Sequence, residues 1–179
     1  MNMKRGLTFC VVGMGMFLSA CGGGGGGGSE SSNVTDVFFD DSVIGVGQGT
    51  VAHVKFSFDS DHVFHDNKNV RVVVHLPPQI QLRANTGEVQ AVPTDESIGA
   101  QVFSCGAQAE TFLLFDLDGN DLDTAVNPGG DADAELTFTV DGVSPVSGAI
   151  VSATASNEQP PFACGQQFLA DKDAAITVS

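Results

Sequence analysis

AHVKFSF, at residues 52–58, is the segment that decides the fold class predicted for this chain. Its apolar residues occupy the even-numbered positions, and His53, Lys55 and Ser57 occupy the odd-numbered positions between them. Successive side chains of a β-strand point to opposite faces of a sheet, so this alternation predicts a strand with one buried face and one wet face. Such a strand must pack its apolar face against a second layer of structure.

The same pattern returns along the chain. Residues 70–76 (VRVVVHL) repeat the alternation, and Pro77-Pro78 ends it because proline lacks the amide donor of a β-ladder. The nearly continuous apolar run at 112–117 (FLLFDL) predicts a buried central strand. No segment shows the apolar stripe of a helix. Further strands are predicted at 80–82, 89–92, 134–140, 149–155 and 174–178, with turns at 85–87 and 127–130.

Seven or eight short strands, separated by turns rich in Gly, Pro, Asn and Asp, predict an all-β fold. Because each one-sided strand has to bury its apolar face, two sheets are expected to pack together. We therefore predict an antiparallel Ig-like β-sandwich of about seven or eight strands.

The turns also carry a resemblance to the Ig-like repeat domains of bacterial surface proteins. It rests on GQGTV at 47–51 opening a strand, on residues 70–76 running into two prolines, and on NPGGDA at 127–132 preceding another strand. A small-residue strand at 151–155 completes the match, which covers about residues 44–156 and leaves the later tail outside. The resemblance implies a structural or adhesive role and brings no catalytic residues.

The N-terminus has the pattern of an export signal. Lys4 and Arg5 precede an apolar run at 6–18, which leads into Leu18-Ser19-Ala20-Cys21. This tetrapeptide is similar to the lipobox of bacterial lipoproteins, and the resemblance implies cleavage before Cys21 and lipidation of that cysteine. The alternatives are an ordinary cleaved signal, which would not need Cys21, and a membrane helix, which needs about 20 apolar residues where this run has about 13.

These boundaries divide the chain into a signal peptide (1–20), a lipidated cysteine with a Gly/Ser-rich tether (21–33) and one sandwich domain (34–179). A flexible tether of about twelve residues has a root-mean-square reach of roughly 20 Å, so it lifts the domain off the membrane without orienting it. Gly22 stands where an Asp marks inner-membrane retention in many lipoproteins. The resemblance therefore implies an outer-membrane location, on either the periplasmic or the surface face.

The exported chain is strongly acidic. Removing Lys4 and Arg5 from the seven basic residues leaves five against 22 acidic residues, a net charge of −17. Nucleic acid is therefore not an expected partner, because its binding requires phosphates to be neutralised by Lys and Arg. The chain has no Trp and no Tyr, which are enriched at interface hot spots and sugar-stacking faces. The expected partners are the membrane, through lipid on Cys21, and an envelope or surface protein.

The cysteines predict one disulfide. Cys10 leaves with the signal and Cys21 takes lipid, which leaves Cys105 and Cys164 as an even pair in an exported chain. Closing a loop of about 60 residues is expected to stabilise the fold by roughly 4 kcal/mol. The alternative is a reactive or metal-bound thiol.

The stretch FDLDGNDLD at 115–123 suggests a calcium loop, because oxygen ligands at alternating positions suit a hard cation. The sixth position of an EF-hand loop starting at Asp116 would be Gly, and here it is Asp121, so the register of that motif fails. An acidic turn between strands is the other interpretation. The wider stretch 116–133 supports an alternative function as a calcium-binding envelope module. The candidate ligands are Asp116, Asp118, Asn120, Asp121 and Asp123.

The histidines offer a weaker metal hypothesis. His62 and His65 are three residues apart among several aspartates, a spacing compatible with zinc or copper, but no third ligand is evident. The alternative is a polar loop between strands. His53 and His75 lie on outward faces by parity, and in an Ig-type sandwich their strands belong to opposite sheets.

No pattern in the chain predicts catalysis. There is no G-x-S-x-G elbow, no H-E-x-x-H helix and no glycine loop placed between a strand and a helix. Cys105 as a nucleophile would compete with its own disulfide. We predict a lipid-anchored outer-membrane protein with a structural or interaction role, adhesive or accessory, and with no enzyme activity and no cofactor. Its contact surface is expected to be the exposed side of one sheet or a free strand edge.

Overall fold

The computed structural model of the chain describes residues 32–64, 66–84, 86–91, 94–106, 110–119, 121–122, 131–157, 162–165 and 167–179. These residues form two six-stranded sheets and one short helix, α1 at Ser60–Phe64. The strands are β1 Asn33–Phe39, β2 Val43–Ile44, β3 Gly49–Asp59, β4 Val70–Leu76, β5 Ile80–Leu82, β6 Thr86–Ala91, β7 Thr94–Gly99, β8 Gln101–Cys105, β9 Glu110–Leu117, β10 Asp131–Gly142, β11 Val146–Ser156 and β12 Lys172–Val178.

The first sheet has the strand order β1-β3-β10-β6-β7, and β5 also pairs with β10. β3 pairs antiparallel with β1 on one side and with β10 on the other. The parity read from the sequence is confirmed, since the buried residues of the segment at 52–58 are Ala52, Val54, Phe56 and Phe58. His53, Lys55 and Ser57 therefore lie on the outer face of the first sheet.

The second sheet has the order β2-β12-β11-β4-β9-β8. Its strands pair antiparallel, apart from the parallel pair of β2 with β12. The two strongest alternations of the sequence, β3 and β4, belong to opposite sheets, as an Ig-type sandwich requires. His53 and His75 are accordingly in different sheets.

The main core lies between the two sheets. Phe115 of β9 and Phe138 of β10 are both buried, and their ring centroids are 5.8 Å apart across the interface. Phe56 and Phe58 of β3 add further aromatic bulk to the same core. Phenylalanine thus supplies the aromatic volume of the core in a chain without Trp or Tyr.

The predicted fold class, an antiparallel all-β sandwich, is confirmed, but the strand number is not. The structure has more strands than the seven or eight expected, because β1, β2, β7 and β8 were missed. In β1 a bulge between Val34 and Asp36 shifts the register, so the buried Val34 and Val37 are three positions apart and the period of two is lost. The turn expected at 85–87 is also wrong in part, because β6 begins at Thr86.

The segment after β3, expected to be a polar loop, contains α1. Asp59 caps this helix, and its Oδ1 accepts hydrogen bonds from the amides of Asp61 at 2.9 Å and His62 at 3.4 Å. With five residues, α1 is too short to show a helical apolar stripe. In the part of the chain that the structure describes, no helix has the length and hydropathy needed to cross a membrane.

Candidate functional site

The outer face of the second sheet is apolar at its centre. Cross-strand neighbours on this face are Val73 and Leu114, then His75 and Phe112, then Phe112 and Phe103 of β8. The outer face of a two-layer sandwich usually meets water, yet Leu114 is only 2% exposed and Val73 only 8%. Another part of the chain therefore covers this face.

The covering segment comes from the C-terminal part of the chain, residues 162–165 and 167–170, which we call the strap. The Phe162 ring packs on Phe103 and on Phe112, with centroids 5.1 and 5.0 Å apart. The Phe168 ring meets Phe112 edge-on at 5.5 Å. The two strap rings and the outer face form a second hydrophobic cluster, separate from the main core.

A disulfide ties the strap to the edge of the sheet. Cys105, the last residue of β8, is bonded to Cys164 of the strap, with 5.3 Å between their Cα atoms. The two cysteines are 59 positions apart. The disulfide predicted from the cysteine count is thus present, and Cys105 belongs to the second hydrophobic cluster.

The strap is followed directly by Asp171, a residue that the sequence analysis did not single out. The Asp171 amide donates to the carbonyl of Ala153 at 2.9 Å. Its carboxylate Oδ2 accepts from the amides of Val34 at 2.9 Å and Ala155 at 3.0 Å. One side chain therefore joins β1 of the first sheet to β11 of the second sheet.

His75 lies under the strap. Its ring centroid is 4.8 Å from that of Phe112 and 6.1 Å from that of Phe168. Burial lowers the pKa of His75 from its usual value, and the nearby Glu110 carboxylate acts in the opposite direction. His75 Nε2 is buried, has no hydrogen-bond partner among the described residues and lies 3.9 Å from Glu110 Oε1. The position therefore favours the neutral ring.

Asp116, the first candidate calcium ligand, is already paired with an arginine. Arg71 of β4 and Asp116 of β9 are direct cross-strand neighbours. Arg71 Nε donates to Asp116 Oδ1 at 2.8 Å, and Arg71 Nη2 donates to Asp116 Oδ2 at 2.9 Å. Both carboxylate oxygens of Asp116 are engaged by the guanidinium in this two-point geometry.

Asp118 and Asp121 form the turn that follows β9. The Asp118 amide donates to Asp121 Oδ2 at 2.8 Å, and the Asp121 amide donates to Asp118 Oδ1 at 3.2 Å. Burial raises the pKa of Asp121 from its usual value, a hydrogen bond with the backbone of Asp118 lowers it, and the Asp118 charge raises it. These contacts are those of an acidic turn. Asn120 and Asp123 lie outside the described residues, so calcium binding by this stretch stays a prediction.

The other sequence candidates are not brought together. His62 is in α1, with a buried Nε2 that has no hydrogen-bond partner among the described residues, whereas His65 lies outside them. Cys21 and the tether residues up to 31 also lie outside the described residues, so lipidation of Cys21 stays a prediction, whereas Asn33 belongs to β1. Within the ranges that the structure covers, no three or more His, Cys, Asp or Glu side chains are grouped as a metal site would require.

The outer face of the first sheet is polar and connects three strands through His53. Its Nδ1 lies 2.5 Å from Glu135 Oε1, its Nε2 lies 3.0 Å from Asp40 Oδ1, and its ring stacks on Phe38 at 4.4 Å. Lys55 Nζ lies 3.9 Å from Glu135 Oε2 and 5.1 Å from the centre of the Phe38 ring. The two outer faces thus differ, with a charged network on one and a covered aromatic face on the other.

This architecture defines an all-β, two-sheet sandwich of the kind found in bacterial pilin domains. The chain is similar to the major pilin SpaA of Corynebacterium diphtheriae, with a TM-score of 0.53, 14% identity, and coverage of 83% of this chain and 37% of that one. It is also similar to the fimbrial protein FimP of Actonomyces oris, with a TM-score of 0.52, 14% identity, and coverage of 83% and 36%. No protein-family model and no curated protein matches the chain.

The chain spans little more than a third of the length of these two proteins. At this level of identity the likeness concerns the fold. A third similar structure, AvmM, is an enzyme that catalyses macrocyclization in alchivemycin A biosynthesis. Its TM-score of 0.43, at 12% identity and with coverage of 82% of this chain and 88% of that one, is too low to support an argument about this chain.

Proposed function

We propose that this protein is a lipid-anchored β-sandwich module of the bacterial outer membrane, with a structural or interaction role and no catalytic activity. The observation that carries the proposal is the likeness of the sandwich to modules of a major pilin and a fimbrial protein. The lipobox-like segment at 18–21 supports attachment through Cys21.

Attachment by lipid suits the organisation of the chain. Each methylene buried in a bilayer contributes about 0.8 kcal/mol, and more than one acyl chain makes membrane binding effectively stable. The composition of the seven glycines at 22–28 predicts a flexible tether. The module would be held close to the membrane and remain free to turn toward a partner.

The covalent cross-links of this chain can also be compared with those of SpaA. The SpaA structure points to a modular pilus assembly with stabilising isopeptide bonds. In this chain the described lysines of the sandwich, Lys55, Lys68 and Lys172, are all exposed. We propose that the covalent cross-link of this chain is the Cys105–Cys164 disulfide, which joins the strap to β8 and is compatible with an oxidising envelope compartment.

The contact surface that fits this role best is the outer face of the first sheet. Asp36, Asp40 and Lys55 are exposed there, and the charged network around His53 holds this surface in one arrangement. The corresponding face of the second sheet lies under the strap. A polar, mainly acidic face favours a partner with complementary basic groups.

The anchor is tested by comparing Cys21→Ser with Cys10→Ser in cells that express the full chain. We expect C21S to lose incorporation of labelled palmitate and to leave the outer-membrane fraction, because the acylated sulfur is removed. C10S is the matched control, since it changes a cysteine in the apolar signal and should keep both lipid and location. Equal palmitate labelling of the two variants would contradict the proposed anchor.

The interaction role is tested separately by cross-linking in intact envelopes. We expect charge reversal at Asp36 and Asp40 to reduce recovery of a cross-linked partner, whereas reversal of Asp173, on β12 of the other sheet, should leave it unchanged. Protease treatment of whole cells then shows whether the partner is outside the cell or in the periplasm. Recovery that is the same for both sets of variants would exclude the first-sheet face as the contact.

A further inference from the structure

The strap is attached to the second sheet by side-chain contacts and one disulfide. It contains no strand or helix, and the exposed Cys164 and Leu169 show that its own outer side faces water. Two aromatic rings, Phe162 and Phe168, hold it against the sheet, and the disulfide holds it to β8. Segments with few buried contacts and irregular backbone open at lower free energy than the core strands of a domain.

The face under the strap is independent of the main core. Val73, Phe112 and Leu114 point away from the sheet-to-sheet interface and form their own cluster with the strap rings. The residues that fill the space between the sheets form a different cluster, which includes Phe115 and Phe138. Movement of the strap would therefore leave the sheet-to-sheet packing in place.

Hydrogen bonds hold the chain in place directly after the strap, at Asp171. The contacts of Asp171 with Val34, Ala153 and Ala155 lie beyond the strap rings and do not involve the disulfide. They hold the start of β12 in place whether or not Cys105 and Cys164 are joined. Release of the disulfide would consequently free the strap on the N-terminal side of this attachment.

We propose that the Cys105–Cys164 disulfide is a redox latch, and that its reduction by a dithiol lets the strap lift and uncovers the apolar outer face of the second sheet while the sandwich stays folded. The closed state is the one seen in the structure. In the open state Val73, Phe103, Phe112 and Leu114 would meet solvent and form an apolar surface. The inference does not depend on the lipid anchor or on the partner proposed for the first sheet.

The chemistry of release is an ordinary thiol–disulfide exchange. A thiolate of the dithiol attacks the sulfur of Cys164, forming a mixed disulfide and expelling the Cys105 thiolate, which takes up a proton. The second thiol of the reductant then attacks the mixed disulfide, leaving Cys164 as a thiol and the dithiol as an oxidised disulfide. The direction of attack follows from access, since Cys164 is exposed and Cys105 is only 6% exposed.

The test compares oxidised protein with protein that has been reduced by dithiothreitol and alkylated with iodoacetamide. Hydrogen exchange is expected to become at least about tenfold faster in peptides that span the strap and in β8, and to remain unchanged in β3 and β10. Binding of a hydrophobic fluorescent dye should rise, while the far-ultraviolet circular dichroism keeps its β-sheet spectrum. Cys164→Ser should reproduce the reduced state without a reductant.

Leu169→Ala is the matched control, because Leu169 is 69% exposed on the same strap and its loss should leave the oxidised protein closed. If reduction left exchange in the strap unchanged, the aromatic contacts alone would hold it and the latch would be wrong. If reduction accelerated exchange in β3 and β10 as much as in the strap, the disulfide would support the whole domain and the proposal would be overturned as well.

Discussion

The carboxylate of Asp171 accepts a hydrogen bond from the backbone amide of Val34, with 2.9 Å between Oδ2 and the nitrogen. The same oxygen lies 3.0 Å from the amide nitrogen of Ala155. Because Val34 belongs to the first sheet and Ala155 to the second, this contact fastens one edge of the sandwich through a single side chain. It also fixes the point at which the strap rejoins the sheet.

We expect Asp171→Ala to lower the free energy of unfolding by about 1 to 2 kcal/mol, since two backbone amides lose a charged acceptor at an exposed position. Urea denaturation followed by circular dichroism measures the change. Asp173→Ala is the control, because Asp173 is an exposed aspartate two positions further on, in β12. A D171A protein as stable as D173A would show that the bridge does not contribute to stability.

Arg71→Lys is expected to destabilise the protein by about 1 kcal/mol, because lysine keeps the charge but cannot form both hydrogen bonds to Asp116. The pair is largely shielded from water, with side-chain exposures of 12% for Arg71 and 27% for Asp116. The matched control is Arg83→Lys, which changes an arginine paired with Asp141 at 51% exposure. An exposed pair contributes little, so R83K should unfold at nearly the same denaturant concentration as the parent. Similar losses in both variants would mean that the burial of Arg71 is not important.

Phe115→Ala is expected to cost about 3 to 5 kcal/mol, since it leaves a cavity where the two sheets meet beside Phe138. Thermal melting and chemical denaturation should both report this loss. Val102→Ala is the control on the neighbouring strand, because Val102 is 43% exposed and its truncation should change stability by no more than about 0.5 kcal/mol. A small effect of F115A would contradict the assignment of Phe115 to the sheet-to-sheet core.

The stability of the protein should depend on pH through His75. Burial lowers the pKa of His75 in the folded protein, so between that lowered pKa and the usual value of about 6.5 the unfolded chain binds more protons than the folded chain. The contribution of His75 to the free energy of unfolding should therefore fall as the pH drops below about 6.5 and level off once the folded protein is protonated too. Above about 6.5 this residue should give no pH dependence.

His75→Gln is the comparison that isolates this effect, because the carboxylates titrate in both proteins. We expect the melting temperature of H75Q to decrease less than that of the parent between neutral and mildly acidic pH. The oxidised form of both proteins should be used, so that the strap covers position 75 throughout. Parallel pH profiles for the two proteins would show that burial beneath Phe168 does not affect the titration of His75.

Several of the strands that sequence analysis found alternate between the core and the outer face. At 52–58 the alternation is regular, at 70–76 only Val73 interrupts it, and the structure places a strand over each segment. β1 was missed because its bulge removes the regular period, and β8 was missed because it is a short strand at the end of its sheet with mostly exposed side chains. A strand that does not have one buried face and one exposed face shows no regular alternation of apolar and polar residues, so its sequence does not indicate a strand.

The strap-covered face was only partly visible in the sequence. The run at 112–117 is nearly all apolar and does not alternate with polar residues, which predicted a strand buried on both faces. In the structure β9 is covered by the core on one side and by the strap on the other. β9 lies one strand in from the edge of its sheet and is not central. The source of the outer cover, Phe162 and Phe168, could not be inferred, since residues 158–170 have no periodic pattern.

The sequence by itself determined that the chain forms strands with a buried face, and it predicted that Cys105 and Cys164 pair with each other. These properties follow from local alternation and from composition, which can be read without knowing what lies opposite each residue. The tertiary structure alone decided that the strap closes over the second sheet, that Asp171 bridges the two sheets and that Arg71 engages Asp116. Such contacts join residues far apart in the chain, 59 positions for the two cysteines, and no local period encodes a contact that exists only after the strands have paired.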